Sequence, residues 1–279
     1  MEATAVLLVL VAALLHAGWN ALVKLSGDHL LLLAVLHANS AIIALLFVPV
    51  LPLPAPASWP YLAASVVLHV GYLLFLVGAY RHGDLGHVYP LARGSAPLLV
   101  TIVSLTILGE GLSAQTLAAV LIIAFGILAL AFHGGVSVLK EREAVAYALG
   151  TGVFIAAYTV VDGVGARLAG SPHAYAAWLF TLDGLCFIVL VILWRGRALY
   201  ATWRADWQGA LLGGAMSLAA YWLVIWAMTL GPIAPVSALR ETSVIFAPII
   251  GALFLKESFA RRRVAAAVVV VVGVVLLRV

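Results

Sequence analysis

Stretches of mostly apolar residues follow one another along almost the whole chain, and only short polar, glycine-containing or proline-containing breaks separate them. A helix needs about 20 such residues to cross the hydrocarbon core of a bilayer. This length predicts ten membrane-spanning helices, and the short breaks place neighbouring helices antiparallel. The predicted spans are residues 3–25, 30–51, 59–81, 85–108, 112–132, 143–168, 172–194, 206–230, 233–255 and 260–277.

The composition agrees with a membrane protein. Of the 279 residues, 65% are hydrophobic and 9% are charged, whereas soluble domains are about 25% charged. The net charge of +4 comes from basic residues in short loops, so it indicates membrane topology rather than a nucleic-acid partner. The single cysteine, Cys186, excludes an intramolecular disulfide. The opening segment 3–15 lacks a basic start, which argues against a cleaved signal peptide.

One motif occurs twice. Residues 88–111 read VYPLARGSAPLLVTIVSLTILGEG, and residues 236–258 read VSALRETSVIFAPIIGALFLKES. Arg93 aligns with Arg240 at a separation of 147 positions. Each copy is an apolar helix that carries one arginine and ends in an acidic turn. The same spacing relates Ser95 to Thr242 and Glu110 to Glu257.

The duplication extends to other spans and predicts an all-α membrane protein built from two five-helix repeats, residues 1–135 and 136–279. HAGWN at residues 16–20 aligns with IAAYT at residues 155–159, and Trp59 aligns with Trp207. Because five helices is an odd number, the second repeat must lie upside down relative to the first. Inverted repeats of this kind support alternating access around a central site.

The distribution of basic residues predicts the orientation. Odd-numbered loops carry eleven basic residues and even-numbered loops carry two. By the positive-inside rule, the odd-numbered loops are cytoplasmic and both termini are periplasmic. The basic residues of the odd-numbered loops are Lys24, Arg81, Lys140, Arg142, Arg195, Arg197, Arg204, Lys256, Arg261, Arg262 and Arg263, and those of the even-numbered loops are Arg167 and Arg278.

Arg93 and Arg240 are the strongest candidates for chemistry. Each lies about 10 to 12 Å deep in its predicted span, counted at 1.5 Å per residue. A lipid-facing arginine at the bilayer centre costs at least about 2.5 kcal/mol, so each should face a cavity or a protein partner. A guanidinium fork suits a substrate carboxylate. The alternative is that each arginine bonds backbone carbonyls or an acidic side chain of the protein itself.

Three acidic residues fall within predicted spans. Glu241 follows Arg240, whereas the corresponding position in the first repeat is Gly94. Glu241 is a candidate for holding a substrate ammonium or a coupling proton, with a fixed ion pair as the alternative. Asp183 lies in the middle of the seventh span, where it should line the cavity or pair with an arginine. We expect Asp162 to reach the outer interface.

Histidines and aromatic residues add weaker candidates. His16, His37 and His69 lie in the first half without counterparts in the second, and histidine titrates near physiological pH. They are candidate proton relays or hydrogen-bonded packing residues. No metal site or cofactor is predicted, since neither HExxH spacing nor a phosphate-binding loop is present. The deep aromatic candidates for a cavity wall are Trp19, Tyr89, Tyr158, Trp178, Tyr221 and Trp222.

These motifs resemble the EamA-domain family of the drug/metabolite transporter superfamily over the whole chain. The resemblance rests on LLHAGWNALVK in the first span, PLARGSAP followed by LGE, AYTVVDG, and ALRETSVIFA followed by LKE. It implies a ten-helix secondary transporter with a central cavity, moving small metabolites and often exporting amino acids. It also implies structural roles for Glu110 and Glu257. Many family members are thought to keep their termini inside, in contrast to the charge pattern here.

The leading hypothesis is therefore an inner-membrane secondary transporter of a small polar metabolite, with amino acid export as the specific activity and protons as the candidate coupling ion. We expect no catalysis, no nucleic-acid partner, and a monomer or dimer in the lipid bilayer. One alternative is an exporter of cations or quaternary-amine drugs that uses Asp183 and Glu241. Another is a membrane-embedded enzyme acting on lipid-linked substrates.

Overall fold

Helices make up nearly all of the structure, a computed structural model that describes residues 1–24, 29–83, 85–132, 141–205, 207–246, 249–250 and 261–278. No strand occurs among these residues. The helices are α1 (Ala3–Lys24), α2 (His29–Phe47), α3 (Trp59–His82), α4 (Leu85–Thr106), α5 (Ala114–Ala131), α6 (Arg142–Leu168), α7 (Pro172–Arg195), α8 (Arg197–Ala205), α9 (Trp207–Thr229), α10 (Ile233–Arg240) and α11 (Arg261–Arg278), with a short 3₁₀ turn at Pro56–Ser58.

Seven of these helices are long and apolar enough to cross a membrane: α1, α3, α4, α5, α6, α7 and α9. α2 and α11 contain shorter apolar helical segments, Leu31–Phe47 and Val264–Leu277. The all-helical membrane fold is thus confirmed. Seven of the ten predicted spans are long and apolar enough to cross a membrane, and the other three spans stay predictions.

The structure differs from the predicted pattern of spans and loops at two places. The segment after α7, predicted as a loop, contains the separate helix α8, which begins after a left-handed Gly196 (φ 50°). The predicted continuous span 233–255 is broken, because α10 ends at Arg240 and a turn occupies Glu241 and Thr242. Around this turn, backbone N–H groups donate to the carbonyl three residues earlier in the chain, for example from Thr242 to Leu239 at 3.1 Å. Residues 247–248 and 251–255 of that span lie outside the described part.

Helix starts follow from local side-chain chemistry. Ser113 accepts a hydrogen bond from the backbone N–H of Thr116 at 3.1 Å and so begins α5. Ser171 does the same for the N–H of Ala174 at 3.3 Å, and Pro172 follows it as the first residue of α7. Such caps satisfy amide groups that have no partner inside the helix.

The main helix contacts join the two halves of the chain. α1 packs on α9, α2 on α7, α3 on α6, α4 on α6 and α5 on α11, and α4 makes a smaller contact with α10. Within the first half, α4 also packs on α5. Small and branched side chains fill the largest core cluster, whose fully buried members include Ile123, Ile225 and Ile233. Large apolar side chains such as Leu46 and Leu193 are more than two-thirds exposed, as expected for a surface that faces lipid.

Glycine notches hold α3 against α6. A Cβ at Gly71 would lie 2.2 Å from the Phe154 ring, and one at Gly78 would lie 2.4 Å from the Tyr147 ring. On the other helix, a Cβ at Gly150 would lie 2.3 Å from the Phe75 ring. Each aromatic ring therefore occupies the space of a missing side chain on the opposite helix. This arrangement permits the close backbone approach that membrane helices use for association.

Candidate functional site

Three charged side chains meet inside the protein, and we refer to Arg93, Arg240 and Glu241 as the central charge cluster. Arg93 comes from α4, Arg240 is the last residue of α10, and Glu241 begins the turn that interrupts the helix. Glu241 is fully buried and the arginines are no more than 5% exposed. The Nε atom of Arg93 lies 2.8 Å from Oε2 of Glu241, and that of Arg240 lies 3.5 Å from Oε1.

The central charge cluster carries one more guanidinium than carboxylate. A single Glu241 therefore leaves a formal surplus of one positive charge, away from water. The Nε and Nη2 groups of Arg240 make no hydrogen bond to any residue that the structure describes. Unpaired buried donors cost about 1–3 kcal/mol each, and more when charged. Arg240 thus retains donors that an additional anionic acceptor would satisfy.

The two segments that carry the central charge cluster each have an incomplete set of backbone hydrogen bonds. In α10 the helix stops at Arg240, as described above. In α4, Pro90 and Pro97 lie inside the helix on either side of Arg93. Proline has no N–H, so each one leaves a backbone carbonyl of the preceding turn without its usual donor. Interrupted helices of this kind form the substrate and ion sites of many transporters.

Aromatic rings flank both arginines. The Cζ atom of Arg93 is 5.8 Å from the ring centre of Tyr89, and that of Arg240 is 5.9 Å from the ring centre of Tyr221. Cation–π contacts of this length contribute about 0.5–2 kcal/mol, most when water is excluded. The rings provide a polarisable wall without neutralising the charge.

His16 contacts the central charge cluster from α1. Its Nε2 atom lies 3.2 Å from Nη2 of Arg93. An arginine Nη group can only donate, so Nε2 of His16 accepts and its ring is neutral in this contact. Trp19 packs edge-on against the His16 ring at 5.0 Å. Of the two candidates from the first span, His16 therefore contacts Arg93 directly, and Trp19 packs against His16.

A second polar network surrounds Asp162. This side chain is fully buried and accepts hydrogen bonds from the hydroxyls of Tyr175 at 3.0 Å and Tyr221 at 2.6 Å. The expected position at the outer interface is thus wrong, because two hydroxyl donors replace water around the carboxylate. Tyr221 links this network to Arg240. His69 stacks on the Tyr158 ring at 4.2 Å, and Tyr158 lies 5.8 Å from the Tyr221 ring.

His37 and Asp183 form a separate buried pair between α2 and α7. The Nδ1 atom of His37 is 3.4 Å from Oδ2 of Asp183, and the Asp183 side chain is 5% exposed. Among the described residues, the side chain that contacts this carboxylate is therefore a histidine and not an arginine. Oδ1 of Asp183 accepts no hydrogen bond from a described residue. Phe187 packs beside His37 at 5.0 Å.

The two remaining aromatic candidates contact other residues. Trp178 lies edge-on to Trp59 at 5.1 Å, and the indole N–H of Trp222 donates to Nδ1 of His173 at 2.9 Å. His173 and Trp59 each lie at the beginning of a helix, α7 and α3. The described ring and hydrogen-bond contacts of Trp178 and Trp222 do not include the central charge cluster. Their role in substrate binding stays a prediction.

Glu110 fixes the beginning of α10, the helix that ends at Arg240. Its carboxylate lies 2.8 Å from Nη2 of Arg167 and accepts the backbone N–H of Ile233 at 2.9 Å. Arg167 also donates to the carbonyls of Met228 and Gly231. A carboxylate at a helix N-terminus interacts favourably with the helix dipole. The corresponding Glu257 lies outside the described residues.

Comparisons with known proteins identify the fold and the family. Residues 142–279 match the family model described as "EamA-like transporter family". A solved structure titled "Crystal structure of protein" aligns with 99% of this chain and 96% of its own, with a TM-score of 0.77 and 17% identity. At that identity the likeness concerns the fold alone. None of the curated proteins matches this chain significantly.

Proposed function

Because the chain belongs to the EamA-like transporter family, which residues 142–279 match, we propose that it exports a small carboxylate-bearing metabolite, specifically an amino acid, across the inner membrane by alternating access. The observation that carries this proposal is the buried surplus of positive charge in the central charge cluster, located at an interrupted helix. An anionic group is the ligand chemistry that this surplus favours.

The roles of the three charged residues follow from their contacts. Arg93 contacts His16 and lies 2.8 Å from Glu241, whereas Arg240 lies 3.5 Å from Glu241 and its Nη2 group has no hydrogen-bond partner among the described residues. Arg240 is therefore the first anchor for a substrate carboxylate, and Arg93 is the second. Glu241 would receive the substrate ammonium or a proton. The rings of Tyr89, Tyr158, Tyr221 and Trp19 would form the wall.

Alternating access is supported by the pattern of helix contacts. If α1 corresponds to α6 and α3 to α9, as the duplicated motifs predict, the α1–α9 contact and the α3–α6 contact are equivalent. The contacts α2–α7, α4–α10 and α5–α11 each join corresponding helices. This symmetry is what two inverted repeats, residues 1–135 and 136–279, would produce. Rocking of one bundle against the other would then open the site to either side.

The orientation is proposed from charge. Arg81, Arg195 and Arg204 lie at the ends of α3, α7 and α8, whereas Arg167 lies in the last turn of α6, on the side of the even-numbered loops. The positive-inside rule assigns the first group to the cytoplasm. Both termini are then periplasmic.

We propose His37 and Asp183 as the proton-coupling pair. Replacing Asp183 with asparagine is expected to abolish the acceleration of transport by an imposed pH gradient, because the amide cannot exchange a proton. Substrate counterflow without a gradient should remain. Flux in proteoliposomes with and without a gradient measures both, and Thr181→Val, a neighbouring change on the same helix, serves as the control. A gradient response that persists in Asp183→Asn contradicts this assignment.

Thermal stabilisation of the purified protein tests the substrate class. A ligand at 100 times its Kd stabilises by about 2.7 kcal/mol, so amino acids, organic acids and quaternary amines can be compared directly. We expect carboxylates to stabilise the wild-type protein and to lose this effect in Arg240→Gln. Stabilisation by quaternary amines that survives in Arg240→Gln would instead favour a cation exporter built on Asp183 and Glu241. Turnover of a lipid-linked substrate would favour the enzyme alternative.

A further inference from the structure

A cleft of about 430 Å³ lies between α3, α6 and α7, and none of the central charge cluster lines it. Valine, leucine and phenylalanine side chains form most of its lining. From Val70 to the end of α3 the cleft follows the helix for about 18 Å, counted at 1.5 Å per residue. Leu74 lines the cleft and is 49% exposed, so the cleft opens at the surface of the helix bundle.

One end of this cleft is basic. Arg81, His82 and Arg195 line it at the last turns of α3 and α7. His82 lies 3.4 Å from Glu143 of α6, so this histidine has an acidic neighbour. Arg81 and Arg195 form no ion pair with any described residue. The cleft therefore combines a long apolar wall with two guanidiniums at one end that form no ion pair with a described residue.

Neighbouring residues indicate that the basic end lies at the membrane surface. α8 follows α7 directly, and its sequence RALYATWRA places basic and aromatic residues on a short amphipathic helix. Tyr200 and Trp203 are exposed and lie 6.3 Å apart. Tyrosine and tryptophan are enriched at headgroup depth, and amphipathic helices lie in that plane. In the part of α7 that precedes α8, Val189 and Leu193 are more than half exposed, as in a surface that contacts lipid tails.

We propose that this cleft binds an anionic phospholipid, with one acyl chain along the apolar wall and the phosphate between Arg81 and Arg195. Arginine binds phosphate through two parallel hydrogen bonds. Basic pockets between helices on the cytoplasmic side recognise anionic headgroups, and the charge pattern assigns this end to that side. The proposal concerns a site apart from the central charge cluster and does not depend on the transported substrate.

Lipid binding to the purified full-length protein tests the proposal. The protein in neutral detergent is titrated with phosphatidylglycerol or with phosphatidylcholine of the same chains, and bound lipid is counted by native mass spectrometry. We expect phosphatidylglycerol to bind about ten-fold more tightly, a difference of about 1.4 kcal/mol. The double variant Arg81→Gln/Arg195→Gln should lose this preference. Arg204→Gln, on α8 and outside the cleft lining, is the matched control and should keep it.

A second variant tests the apolar wall. Val77→Trp fills the cleft while both arginines remain, and it should weaken the binding of both phospholipids. Glycerol phosphate, which has the headgroup charge but no acyl chain, should not compete. Equal binding of the two phospholipids, an unchanged preference in the double arginine variant, an equal loss in Arg204→Gln, or full competition by glycerol phosphate would each overturn the proposal.

Discussion

Replacing Arg240 with glutamine is expected to lower the initial transport rate at subsaturating substrate by about 100-fold, equivalent to about 2.8 kcal/mol. Arg240 is buried, and its Nε and Nη2 groups have no described hydrogen-bond partner. Removing one member of a buried charged contact costs about 2–5 kcal/mol, which brackets this value. The measurement is the initial rate in proteoliposomes loaded with the ligand that stabilises the wild-type protein.

Arg240→Lys is the matched variant for this experiment. Lysine keeps the charge but lacks the planar fork that binds a carboxylate through two hydrogen bonds. We expect a rate between those of the wild type and Arg240→Gln. A wild-type rate in Arg240→Gln would remove this arginine from the substrate site and would leave Arg93 as the candidate anchor.

Replacing Glu241 with alanine is expected to destabilise the protein by about 3–5 kcal/mol, because two buried guanidiniums then lose their shared counter-charge. Glu241 is fully buried and contacts both arginines. The change is measured as the free energy of unfolding in denaturant, or as a lower Tm in detergent.

A double variant separates this charge effect from a loss of packing. Arg93→Met/Glu241→Ala removes one positive and one negative charge, so it should be more stable than Glu241→Ala alone. With the single variant Arg93→Met measured as well, the change in the double variant minus the sum of the two single changes gives the coupling between the two residues. If the two changes are additive, the pair contributes no specific interaction, and the 2.8 Å contact between Arg93 and Glu241 has another role.

The helical membrane fold was predictable because long apolar segments leave little choice of structure in lipid. Hydropathy did not predict the break at Glu241, since an apolar sequence flanks it on both sides. It also missed α8, whose nine residues are too short and too polar to register as a span. Both features depend on backbone geometry, which the average hydrophobicity of a segment does not encode.

The duplicated motif brought Arg93, Arg240 and Glu241 forward as candidates, and the structure places them in one cluster. The partners of these residues were harder to predict. Tyr221 contacts both Arg240 and Asp162 because α9 is rotated so that this ring faces α6 and α10. The rotation follows from three-dimensional packing. The pairing of Asp183 with His37 has the same origin, because the two residues are 146 positions apart.

The notches that interlock α3 and α6 bear on which parts move during transport. Gly71, Gly78 and Gly150 each receive an aromatic ring from the opposite helix, so sliding α3 along α6 would drive rings into backbone. We therefore expect these two helices to travel as one rigid unit, although they fall in different halves of the predicted repeat. The moving bodies would then be composites of both halves, and a crosslink between α3 and α6 should leave turnover intact.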